Sequence, residues 1–117
     1  MMIYKYKDCL LDKIRLAEIT DWIIQKININ NITENHLCNL VYLMNISHFD
    51  KYNKYMFDYS ENIVVSRLNN FKQKKPSLDI SSELDKRLHQ IFMENNMYDN
   101  EDAINTLVMR RKTQHDA

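Results

Sequence analysis

The feature that most constrains this chain is an absence: its 117 residues include no glycine. At an average usage near 7% a chain of this length carries roughly eight. Glycine-dependent backbone cradles are therefore excluded, so the chain has no Walker loop, no dinucleotide fingerprint, no EF-hand loop and no Gly-x-Ser-x-Gly nucleophile elbow. Wherever the chain needs a left-handed residue, another residue type has to supply it, and asparagine is the one that tolerates that geometry best.

Size and charge narrow the class further. A chain of this length makes one compact unit and buries about two-thirds of its unfolded surface. Its 44% apolar and 27% charged residues are those of an ordinary globular protein. Sixteen basic residues balance sixteen acidic ones, and residues 1–69 balance on their own. That argues against non-specific nucleic-acid binding, whose affinity comes from an excess of lysine and arginine. Cys9 and Cys38 are far apart and in no C-x-x-C pair, which reads as two buried reduced thiols. The start has no long apolar stretch, and the longest apolar run, Leu40 to Met44, is far short of a membrane span. A cytoplasmic protein is the expectation, with the sequons at Asn31 and Asn45 as chance matches.

Helical periodicity dominates the chain. Leu10, Leu11 and Ile14 suggest a short first helix leading into a second, where Leu16, Ile19, Trp22, Ile23 and Ile27 form a stripe with Glu18, Asp21 and Lys26 outside it. Thr33 is a natural N-cap for the next helix, with Glu34 in its first turn, Leu37, Leu40, Val41 and Met44 on its buried face and Asn45 at its end. Residues 46–60 lack a clean period, are crowded with aromatics and read as a long ordered connection, with room for a helical turn. Ser60 and Glu61 open a helix with Ile63, Val64, Leu68 and Phe71 on one stripe, closed before Pro76. Residues 72–77 are the one internal boundary, and residues 77–81 alternate enough to be a short strand or an extended linker. Ser82 with Asp85 resembles a capping box for a helix burying Leu84, Leu88, Ile91 and Phe92. Asn95 and Asn96 break that helix. Asp99 or Asn100 caps a last one with Ala103, Ile104, Leu107 and Val108, ending at Arg110-Arg111-Lys112. The prediction is an all-α bundle of five or six helices with at most one short strand, in one domain spanning 1–117.

Little here points to catalysis. His36, His48, His89 and His115 fall in different segments with no zinc-ligand spacing, so neither metal nor cofactor is expected. His36 and Cys38 lie two residues apart on opposite sides of a helix and cannot meet. Acid pairs such as Asp58 and Glu61 read as helix-dipole partners rather than as a general acid and base. Trp22, mid-stripe, reads as a core anchor. The segment carrying Tyr52, Tyr55, Asp58, Tyr59 and Glu61 has the makeup of a protein-binding surface, tyrosines with a few acids. It is equally the makeup of a tyrosine-rich loop lying over the core.

Two resemblances bear on function. The run from Asp8 to Trp22, a helix at Leu37 to Met44, and Tyr55-Met56-Phe57-Asp58-Tyr59-Ser60-Glu61 before another helix resemble, over residues 8–71, small helical bacterial immunity proteins. Those are the partners of contact-dependent growth inhibition and colicin-type toxins. That likeness implies a non-enzymatic protein that covers a cognate toxin domain, with no membrane partner. Residues 74–112 resemble ribbon-helix-helix regulators: Ser77 to Ser81 precedes a helix reaching Asn95, Asn96 takes the place of the turn glycine, and Ile104 follows at the expected offset. That second likeness implies a dimeric DNA-binding repressor or antitoxin reading the major groove through Lys75, Ser77 and Asp79.

Overall fold

The computed structural model describes residues 2–27, 32–73 and 80–116, with side chains described for 13–27, 32–73 and 80–114. Five helices account for most of these residues: α1 (Met2–Lys26), α2 (Glu34–Tyr52), α3 (Glu61–Gln73), α4 (Ser82–Glu94) and α5 (Glu101–Asp116). No strand occurs among the described residues. Of the predicted strand at 77–81, residues 77–79 lie outside the described residues, and Ile80 and Ser81 form a short non-helical lead into α4.

The two helices expected at the start are one, α1. Lys13, Ile14 and Arg15 contain no breaker, and extending a helix already nucleated is far easier than ending it and starting another. The expected stripe is buried, with Leu16, Ile19, Trp22, Ile23 and also Ile24 fully out of solvent. Asp21, expected outside it, is buried as well. Its carboxylate accepts two bonds from Arg67 of α3, Nε at 3.1 Å and Nη2 at 2.6 Å. Opposite charge and hydrogen bonding offset the desolvation of the acid, and the same pairing raises the Arg67 pKa. Trp22 anchors the core as expected, with edge-on contacts to Phe92 and His89, and its indole N–H donates to Asp85 of α4 at 2.8 Å.

α2 is the central helix and packs against all four others. Its buried residues go around the helix, from Leu37 through His48, so no single apolar stripe exists to mark its end. Thr33 caps it as predicted, its hydroxyl accepting from the His36 N–H at 3.0 Å. The predicted end at Asn45 is wrong: α2 runs on to Tyr52, and Asn53, at φ 60° and ψ 28°, closes it. Among the described residues the two left-handed positions are Asn53 and Asn96. Both are asparagines, as a glycine-free chain requires.

The cap of α4 lies one residue before the predicted one. Ser81, rather than Ser82, accepts from the Leu84 N–H at 3.1 Å, so Asp85 stands one position too far along for a capping box and serves Trp22 instead. Asn100 caps α5, accepting from the Ala103 N–H at 2.8 Å. α5 continues past the predicted stop at Lys112 to Asp116. Its basic residues therefore lie mid-helix and reach sideways, Arg111 pairing with Asp50 and Lys112 lying over the Tyr42 ring. Leu88, Ile91, Phe92, Met97, Ile104 and Val108, beyond the predicted boundary at 72–77, join the same apolar cluster as Leu16, Trp22, Leu40 and Val64. No helix among the described residues is long and apolar enough to cross a membrane.

Candidate functional site

The loop from Asn53 to Ser60 is held from beneath by two side chains of α2. Asn45 lies about two turns before the helix end, and its Oδ1 accepts from the backbone N–H groups of Met56 at 2.9 Å and Phe57 at 3.4 Å. Its Nδ2 donates to the Phe57 carbonyl at 2.8 Å. One buried amide thereby pairs three backbone groups that have no helix or sheet to satisfy them. His48, one turn further on, bonds through Nδ1 to the Lys54 carbonyl at 2.7 Å. A carbonyl only accepts, so Nδ1 carries a proton. Burial lowers the His48 pKa; the bond to Lys54 opposes that shift, and the cations Arg87, Lys54 and Arg15 reinforce it.

This anchoring sorts the loop's side chains. Met56 and Phe57 point into the core, while Tyr55 at 47% exposure, Asp58 and Tyr59 remain outside. Tyr55 stacks on Phe49 with ring centroids 4.5 Å apart and planes at 23°. Tyr59 meets Tyr42 edge-on at 6.0 Å, and its hydroxyl reaches the Cys38 carbonyl at 3.5 Å. Burial of the phenol oxygen pushes the Tyr59 pKa well above the ordinary tyrosine value, so its hydroxyl stays a donor. Between α2 and the loop lies a cleft of about 320 Å³ lined by Tyr42, Asn45, Ile46, Tyr55, Phe57, Asp58 and Tyr59.

Of the five predicted partner contacts, Tyr55, Asp58 and Tyr59 thus share one cleft. Tyr52 does not line it. Its ring packs on His48 at 4.6 Å, under the Arg87 guanidinium at 4.9 Å, which ties it to α4. Glu61 is exposed in the first turn of α3, the dipole-partner position. Lys75, Ser77 and Asp79, the predicted DNA contacts, lie outside the described residues. Sequence reasoning missed Tyr42, Asn45, Ile46 and Phe57. A polar residue in the middle of an apolar run was the available signal for Asn45, and it reads just as well as a helix end.

Burial pushes the Cys38 thiol up, so it is held protonated and lacks the thiolate that makes a cysteine nucleophilic. Among the described residues no group of three or more His, Cys, Asp or Glu is placed to hold a metal ion. What the site offers a ligand is tyrosine rings, hydroxyls and a carboxylate in a fixed arrangement. Comparison with protein-family models, with curated proteins and with solved structures finds no match to this chain.

Proposed function

We propose that this protein works by stoichiometric binding of another protein, as an immunity partner of the contact-dependent growth inhibition or colicin type that covers a cognate toxin domain in the cytoplasm. One observation carries this reading. The exposed Tyr55, Asp58 and Tyr59 sit on an irregular loop that α2 pins through three buried hydrogen bonds from Asn45 and a part-buried one from His48. A surface pre-ordered in this way loses little conformational entropy on association, and large rigid tyrosines are typical binding hot spots. Tyr52 and Glu61 flank it and extend the surface, and exposed carboxylates at its rim act mainly on encounter rate.

The test is co-expression with the protein encoded next to it. A toxin encoded there should form a stable complex and lose its effect on growth, and Tyr55→Ala with Tyr59→Ala should weaken the complex by about 2 kcal/mol or more. With no complex and no effect on growth, the neutralisation reading fails. The alternative, a ribbon-helix-helix regulator acting through residues 74–112, has less support. The apolar faces of α4 and α5 that a second copy would need are already buried against α1 and α2 of the same chain. A chain that stays monomeric and ignores its own promoter at low salt removes that alternative.

A further inference from the structure

The geometry points to an arginine side chain of a protein partner as the occupant of the cleft between α2 and residues 55–59, which rests on the protein-binding function proposed above. Four of the seven lining residues are aromatic, and aromatic faces attract cations through their quadrupole. Phe49 covers one face of Tyr55, so the 47% exposure of that residue belongs to its edges and its other face. Rings of this region already hold cations of this chain: Lys112 Nζ lies 5.1 Å from the centroid of Tyr42, a lining residue, and beside the cleft the Arg87 guanidinium lies 4.9 Å from that of Tyr52.

The one charged group among the residues that line the cleft is the carboxylate of Asp58, and Glu61 stands exposed three residues on. An apolar side chain seated there would desolvate that carboxylate without compensation, and an anion would be repelled. Asp58 is already engaged within the chain, but an ionised carboxylate has about four acceptor sites and keeps capacity for a second donor. A guanidinium suits the cleft better than an ammonium because its plane stacks on a ring while its edge bonds a carboxylate.

The full chain, labelled with ¹⁵N, would be titrated with N-acetylarginine methylamide and with its lysine and citrulline counterparts, citrulline being the neutral isostere. Arginine should shift the amides of Tyr55 through Tyr59 with a saturating curve, and citrulline should bind about three- to fivefold more weakly. Asp58→Asn and Tyr55→Ala should each weaken arginine by a similar factor, with the signals of residues 95–100 reporting that the variants fold. Citrulline binding as well as arginine, shifts centred elsewhere, or both variants binding as the wild type does would each overturn the arginine site. The two readings separate at this point. A neighbour-encoded toxin captured equally by the wild type and Asp58→Asn leaves neutralisation standing and removes the arginine site. Arginine-specific shifts without any neutralised toxin do the reverse.

Discussion

Two connections in this molecule leave a helix through a left-handed asparagine, and they are held in opposite ways. Residues 95–100 close on themselves. The Asn95 side chain donates to Ile91 O, the Met97 N–H to Phe92 O, the Asp99 N–H to Asn96 O, and Asn100 caps the helix that follows. Every partner lies within five residues. Residues 53–60 have such local bonds at their two ends, Asn53 N–H to Phe49 O at 2.7 Å and Val64 N–H to Ser60 O at 3.3 Å. Between them, Met56 and Phe57 depend on Asn45, eleven and twelve residues back, and Lys54 on His48. The difference teaches where a binding surface can be built: a loop whose backbone is satisfied from below presents its outer side chains to a partner, whereas a self-closed turn uses its polar groups on itself.

The largest break in this comparison should come from Asn45→Ala. It leaves two buried N–H groups and a carbonyl unpaired, a loss of about 3 kcal/mol at the usual 1–3 kcal/mol for an unsatisfied buried group. Chemical denaturation measures it, and hydrogen exchange should show the Met56 and Phe57 amides opening while those of Met97 and Asp99 stay protected. Equal protection at both connections would mean that the amide is not the anchor.

A smaller effect is expected at the left-handed positions. Asn53→Ala should destabilise by about 1 kcal/mol because a Cβ without a local hydrogen bond disfavours this geometry, and Asn53→Gly should restore or exceed wild-type stability. The same pair of substitutions at Asn96 should behave alike, since this requirement is common to both connections; melting temperatures that rank alanine above glycine would contradict it.

Asn100→Ala should lose about 1 kcal/mol through its missing cap, with no change in the exchange of Met56 or Phe57. Coupling between the two sites in a double-mutant cycle with Asn45→Ala would show that the connections are not independent.

The least drastic probe is pH. His48 has a folded pKa below its unfolded value, so the unfolded chain binds more protons in the acid range. Stability is fully present above the unfolded value near 6.5 and is lost as pH falls from there toward the folded value. His36, also lowered by burial with Glu101 opposing, adds a contribution of the same sign. Comparing pH 7.5 with pH 5.5, His36→Gln should keep most of the loss at the 53–60 loop and His48→Gln should remove it. Loop exchange that accelerates in acid equally in both variants would rule out His48 as the pH-sensitive contact.

What was legible in the sequence was local. The Thr33 cap, the stripe through Leu16, Ile19, Trp22 and Ile23, the break at Asn95 and Asn96, and the all-helical class each depend on residues within one or two turns of one another. Tyr55, Asp58 and Tyr59 were singled out because tyrosine-acid composition is itself a signal, and the structure brings them to one cleft. Two of the misreadings share one cause. Asn45 as a helix end and Asp21 as a solvent-facing acid are sound readings of local propensity, and the partner that decides otherwise lies far along the chain, Phe57 and Arg67; Ser82 as a cap lost instead to a local competitor, Ser81, which takes the Leu84 N–H.

A chain without glycine, dense in helical periodicity, determines by itself that it forms helices and that asparagine makes its sharpest turns, because those are matters of backbone sterics and of spacing along one chain. Which of its polar side chains are buried, how far the central helix runs, and which tyrosines face a common cleft were decided by tertiary structure alone. The physical reason is that a buried polar group is stable only where distant backbone or charge satisfies it, and that partner is set by how the helices pack.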